Sequence, residues 1–125
     1  MTRLTGEIKK GWGCEIIFAT NDLYCGKLLN FYEGSKFSMH FHAKKDETWY
    51  VKSGKFLVSW IETDTAKVND KYLVPGSTWH NPPLLPHQLT CIEKGTIVEV
   101  STADSVEDNY RVLPGDSQAQ INRLE

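Results

Sequence analysis

Gly34-Ser35-Lys36-Phe37-Ser38-Met39-His40-Phe41-His42-Ala43-Lys44-Lys45-Asp46-Glu47-Thr48-Trp49-Tyr50-Val51 holds two runs of strand character, residues 37–41 and 48–51, around a polar tetrapeptide. In an extended chain, side chains two apart leave on the same face, so the imidazoles of His40 and His42 point together. Glu47 lies five residues beyond His42 and falls on the opposite face of an unbroken strand. It joins the histidines only if Ala43-Lys44-Lys45-Asp46 bends the chain, and that composition suits a bend. The segment reads as strand, bend, strand.

Outward from it, the chain continues as short β-prone runs: residues 13–20 and 24–32 upstream, then 56–61, 67–74, 87–92 and 96–101 downstream. Turn-forming groups separate them, among them Thr20-Asn21-Asp22, Lys52-Ser53-Gly54-Lys55, Glu62-Thr63-Asp64-Thr65, Pro75-Gly76-Ser77 and Glu93-Lys94-Gly95. No window of about 11 residues holds a helical period. Strands at this spacing predict an all-β, antiparallel sandwich or barrel. One domain over residues 1–125 is expected, with the barrel over 8–113 and a polar tail, 114–125, that is either a short helix or disordered.

Composition narrows the function classes. The 125 residues suffice for one domain. Lys+Arg at 14 against Asp+Glu at 16 leaves a formal charge of -2, without the basic excess that a phosphate backbone requires, which argues against nucleic acid as partner. No apolar stretch reaches the roughly 20 residues that cross a bilayer. The first seven residues lack the apolar core of a secretory signal. No membrane partner and a cytoplasmic location are expected. Cys14, Cys25 and Cys91 form no CxxC pair and leave one cysteine over, which fits reduced thiols acting as small buried hydrophobes.

Far downstream, beyond Asn81-Pro82-Pro83-Leu84-Leu85-Pro86, stands His87. Three of the four histidines plus one carboxylate then make a mixed N/O set suited to Zn, Fe, Mn, Co or Ni. Taken alone, His-x-His on a strand reads first as two polar residues on a solvated face. The surroundings change that reading. Gly34, His40, His42, Glu47 and Gly54 match every spacing of the first cupin motif, G-x5-HxH-x4-E-x6-G. Gly76, Pro82 and His87 match the second, G-x5-PxGxxH-x3-N, while Leu84 replaces its glycine and Cys91 its asparagine. The resemblance implies a cupin double-stranded β-helix, a jelly-roll barrel with one divalent metal ion inside, held by His40, His42, Glu47 and His87. His80, the remaining histidine, reads as a surface residue or a neighbour of the ligands.

Over roughly residues 8–116 the chain resembles one branch of cupins, the type II mannose-6-phosphate isomerases and the related D-lyxose ketol-isomerases. Lys10-Gly11-Trp12-Gly13-Cys14-Glu15 is similar to their K-P-W-G-x-E opening, with Gly11 in place of the proline. Lys45-Asp46-Glu47-Thr48-Trp49-Tyr50-Val51 resembles K-x-E-x-W-x-V, and Val98-Glu99-Val100-Ser101-Thr102 with Asp108-Asn109-Tyr110-Arg111 resembles E-V-S-T and D-x-x-R. The resemblance implies metal-dependent aldose–ketose isomerisation of a sugar or sugar phosphate. Such chemistry needs an acid/base group near C1 and C2, and Glu99 is the candidate; the competing reading is an exposed strand carboxylate.

Substrate-binding candidates follow. Lys36 shares the strand parity of His40 and His42, which places it inside the barrel or at its rim, within reach of a hydroxyl or phosphate. Arg111 suits an anionic group, unless it is spent on an ion pair with Asp108. Trp49 and Trp60 offer faces for a sugar ring or serve as packing. A small-molecule partner and, by analogy with other cupins, a homodimer are expected. Two alternatives stay open: an Fe(II)-dependent dioxygenase-type cupin with the same ligands, and a non-catalytic metal- or sugar-binding module.

Overall fold

The structure is a computed structural model that describes residues 6–117. Two strands of 16 residues organise it: β5 (Glu47–Glu62) and β8 (His87–Thr102). The others are β1 (Gly6–Lys10), β2 (Gly13–Thr20), β3 (Tyr24–Phe31), β4 (Met39–Phe41), β6 (Lys67–Leu73), β7 (Thr78–Asn81) and β9 (Tyr110–Leu113). All pairings are antiparallel, in the order β1-β2-β3-β8-β4-β9, with β5 joining β8 to β6 and β7.

β5 and β8 pair along their whole length, from Glu47 opposite Ser101 to Trp60 opposite His87. A straight strand from residue 47 to 60 would span about 40 Å. Yet Glu47 Oε1 lies 3.0 Å from His87 Nε2, so the paired strands must fold back on themselves. They do so where the ladder shifts register, between Val51 and Phe56. Gly54 is there at φ +83°, and a Cβ on Gly95 would stand 2.1 Å from the carbonyl oxygen of Ser53. The groups expected as chain reversals, residues 52–55 and 93–95, are therefore corners that both strands pass through together. Glycine marks them because two backbones nearly touch.

Alternation fixes the interior. Cys25, Lys27, Leu29 and Phe31 of β3 are buried, as are Gly13, Glu15 and Ile17 of β2 and Leu89, Cys91, Ile97 and Glu99 of β8. Around the corner these positions are apolar and form the core: Phe31, Val51, Phe56, Val58, Leu89, Cys91 and Ile97. Towards the other end the same inward rows carry Lys27, Glu15, Glu99, Glu47 and His87. A barrel interior that changes from oil to charge along its axis positions the site.

Some elements differ from expectation. β1, β7 and β9 are short and mostly exposed, so they lack the apolar alternation that marks a strand. Cys25 and Cys91 are buried as expected, while Cys14 is half-buried. The start of the expected loose tail is docked: Asp116 donates its N–H to the Lys36 carbonyl, and Gly11 donates its own to Ser117 Oγ at 3.0 Å. Residues 118–125 of that tail lie outside the described residues. Among the described residues no helix is long and apolar enough to cross a membrane.

Candidate metal centre

Three elements bring three imidazoles together. His40 in β4 stands opposite His87 in β8 in the ladder, and His42 follows β4 by one residue. Ring centroids are 4.7 Å apart for His40 and His87, 5.0 Å for His40 and His42, and 5.7 Å for His42 and His87. Each ring gives its Nδ1 to a backbone carbonyl: His40 to Ser38 at 2.7 Å, His42 to Asp108 at 2.6 Å, His87 to Leu85 at 2.8 Å. A carbonyl only accepts, so Nδ1 carries the proton and Nε2 is left with its lone pair. The ligand atoms of the three residues lie within 4.8 Å of one another, an arrangement that could hold a metal ion.

Glu47 is the first residue of β5, and the chain bends at Ala43 and Lys44 before it. The bend restores the parity that an unbroken strand would lose. Glu47 Oε1 lies 3.6 Å from His42 Nε2 and 3.0 Å from His87 Nε2. Both Glu47 Oε1 and His87 Nε2 are buried without a hydrogen-bond partner. Two bare acceptors facing each other at that distance repel unless a proton or a cation lies between them. Three imidazole nitrogens and one carboxylate oxygen suit a borderline divalent ion, so the residues present fit the group the motifs imply.

Electrostatics favour the ligand-ready forms of His40 and Glu47 and work against that of His42. Desolvation of the His40 ring, reinforced by His87 and His42, pushes it down to about 3 and keeps it neutral. Burial raises the Glu47 carboxyl, but Lys45 and the two histidines outweigh it and hold it well below the usual carboxylate range. Burial likewise lowers His42, and Glu47 more than reverses this.

No protein-family model matches the sequence, nor does any curated protein. Solved structures do match, at low identity. KdgF from Halomonas sp. superposes with a TM-score of 0.65 at 18% identity over 75% of this chain and 81% of its own. The capsular polysaccharide assembling protein CapF from Staphylococcus aureus gives 0.74 at 15%, over 90% of this chain and 33% of its own. Oxalate decarboxylase from Bacillus subtilis gives 0.73 at 17%, over 90% of this chain and 32% of its own. All three are cupin-fold proteins. This chain has the cupin fold. It spans about a third of the length of CapF and of the decarboxylase.

Beside the histidines the cupin barrel opens into a cavity of about 300 Å³. Glu99 lies on its wall, buried, with Oε1 accepting from Trp49 Nε1 at 3.1 Å and Oε2 from Lys45 Nζ at 3.0 Å. Burial and the charge of Glu47 push its carboxyl up to about 6, against the opposing pull of Lys45. Lys45 also reaches Asp104 at 3.4 Å and Glu47 at 3.7 Å. Lys27 bridges Asp104 at 3.2 Å and Glu15 at 3.3 Å. Glu15, Glu47, Glu99 and Asp104 thus gather around the ammonium groups of Lys27 and Lys45 on one side of the histidines.

The other sequence candidates divide. Arg111 lines the cavity with its side chain exposed, and Asp108, its expected partner, instead binds backbone amides. Trp49 lines the cavity too but is fully buried, its N–H committed to Glu99. Lys36 is exposed and off the cavity wall. Residues 37 and 38 lie outside any strand, between the isolated bridge of Lys36 to Thr90 and the start of β4, so strand parity does not carry back from His40. Phe37, not Lys36, shares the interior with the histidines, its ring 5.1 Å from His40. Trp60 packs on Trp79 with ring centroids 4.7 Å apart, also off the wall. His80 is exposed and bound to Asp46. Glu15, Lys27, Lys45 and Asp104 were not expected. Strand parity marks the first two as inward; Lys45 and Asp104 sit in loops, where parity says nothing.

Proposed function

We propose that this cupin is a metal-dependent enzyme that interconverts the aldose and ketose forms of a sugar or sugar phosphate, in the manner of the type II mannose-6-phosphate isomerases. The observation that carries the reading is the pairing of a Nε2-presenting histidine triad, next to Glu47, with a second buried carboxylate, Glu99, on the wall of the same cavity. In this reading His40, His42, Glu47 and His87 hold one divalent ion. When bound, that ion would supply Lewis acidity for the negative charge that develops on two adjacent substrate oxygens.

The chain's own groups do the rest. Glu99 takes the proton from the carbon beside the carbonyl and returns it to the carbonyl carbon, while the hydroxyl proton on the first carbon's oxygen passes to the carbonyl oxygen. A carboxyl poised near 6 can do both at neutral pH. Lys45 and Trp49 each occupy one of its oxygens and fix its plane, leaving lone pairs for the substrate. Arg111 at the cavity wall takes the anionic group when the sugar carries one. CapF, named for capsular polysaccharide assembly, fits a sugar ligand for this fold. A homodimer remains part of the proposal, supported by exposed apolar residues on the outer sheet face, Phe18, Tyr50 and Val100 among them.

The test is a screen of pentoses, hexoses and their phosphates for aldose–ketose conversion by metal-loaded protein under nitrogen. Conversion is expected for at least one. Turnover that requires oxygen would instead select the dioxygenase reading, and calorimetric sugar binding without turnover would select the binding module.

A further inference from the structure

The bend that carries Glu47 to the histidines is held from outside by one residue. Asp108, in the loop between β8 and β9, accepts the N–H of Ala43 on Oδ1 at 2.7 Å. Its Oδ2 accepts the N–H groups of Lys44 and Lys45 at 3.1 and 3.0 Å. Its backbone carbonyl accepts His42 Nδ1 at 2.6 Å. Four consecutive residues, 42 to 45, are tied to a single one.

Successive N–H groups of a β-strand point to opposite sides, so three in a row cannot meet at one carboxylate. Where they do, the backbone has formed an anion-binding nest. The Asp108 carboxylate and an extended chain through residues 43–45 are therefore mutually exclusive. Strand parity supplies the consequence: with an extended chain, Glu47 leaves on the face opposite His42. Asp108 does not line the cavity, so its part is in shaping the chain.

We propose that Asp108 is a positioning residue of the metal centre, capping the amides of residues 43–45 to fix the bend that delivers Glu47 and orienting the His42 ring through its carbonyl. The inference rests on the ligand set proposed above. Other bonds still anchor the ends of the bend when the carboxylate is removed: Leu84 donates its N–H to the His42 carbonyl at 2.7 Å, and Thr102 donates its own to the Asp46 carbonyl at 3.0 Å. Asp108→Asn, which keeps the backbone carbonyl, should therefore fold.

The experiment titrates metal-free protein with Co(II), reading affinity together with the visible absorption that reports the ligand set. Wild type should bind. Asp108→Asn should keep the far-UV circular dichroism, bind about 10–100-fold more weakly, and show a shifted absorption band as the carboxylate ligand is lost. In a Glu47→Gln background the same substitution should add little, because both changes remove one ligand. A folded Asp108→Asn with wild-type affinity and band overturns the proposal, and so do losses that multiply in the double variant. Wild type that binds no Co(II) overturns the ligand set and this inference with it; normal binding by both proteins overturns the inference alone. Should the variant not fold, hydrogen exchange on wild type decides: Zn(II) must slow the amides of residues 43–45, and unchanged exchange overturns the proposal.

Discussion

Glu99 shows how much a single residue's role depends on its neighbours. As a strand carboxylate it could have faced water; parity with Ile97 turns it inward, and burial, helped by the charge of Glu47, lifts its carboxyl to about 6. Glu99→Gln keeps the shape and an acceptor for Lys45 but removes the base. Steady-state kinetics on the substrate found by the screen should show kcat lowered by about 10²–10⁴-fold, with KM and metal content little changed. An unaffected kcat contradicts the role. Asp108 makes a different kind of prediction. Burial raises its carboxyl, yet the N–H groups of Ala43, Lys44 and Lys45 more than offset this and leave it below the ordinary value. Its contribution to stability is therefore full above the unfolded-state value of about 3.9 and is lost as pH falls through the lower folded one. Urea denaturation should find wild type more stable than Asp108→Asn near pH 6, with the gap closing below about pH 4. A gap that stays constant into that acid range contradicts it.

At the scale of elements, the turn before β8 records where this chain leaves the motif it otherwise follows. Leu84 occupies the glycine position and adopts φ 74°, a left-handed conformation that costs a branched side chain roughly 1–2 kcal/mol. Its side chain is 59% exposed and so little packing offsets that strain. Leu84→Gly should stabilise the fold by about 0.5–1 kcal/mol, the relief being partly cancelled by the glycine's greater freedom when unfolded. Thermal melts should rise by a few degrees; a fall would contradict the account. The same scale shows what could be read without coordinates. Alternating burial underlies the legibility of β2, β3 and both arms of β5 and β8, whereas β6 buries only Leu73. The corner at Gly54 and Gly95 resembles a turn in sequence because turns and close strand crossings both select glycine. β7, four residues of which only Asn81 is buried, offers no pattern to read.

For the whole molecule, the fold and the position of the histidine cluster were legible because both follow from local spacing: two-residue parity, a bend of fixed length and paired motifs. The charged wall of the cavity was only half legible. Glu15 and Lys27 reveal themselves as charges at inward strand positions, but Lys45 and Asp104 meet across 59 residues from two loops, and no local rule pairs them. Strand parity places Lys36 inside the barrel or at its rim, yet it stands exposed, since the irregular residues 37 and 38 interrupt the strand on which that parity is counted. The proposed ligand set joins three distant segments of the chain: His40 and His42, Glu47, and His87. Elemental analysis of purified protein after supplementation with divalent metals tests it most directly. One equivalent per 14.2 kDa chain, falling close to none in His87→Ala, is the predicted result; wild-type protein that retains no ion, or a His87→Ala variant that retains all of it, would contradict the claim.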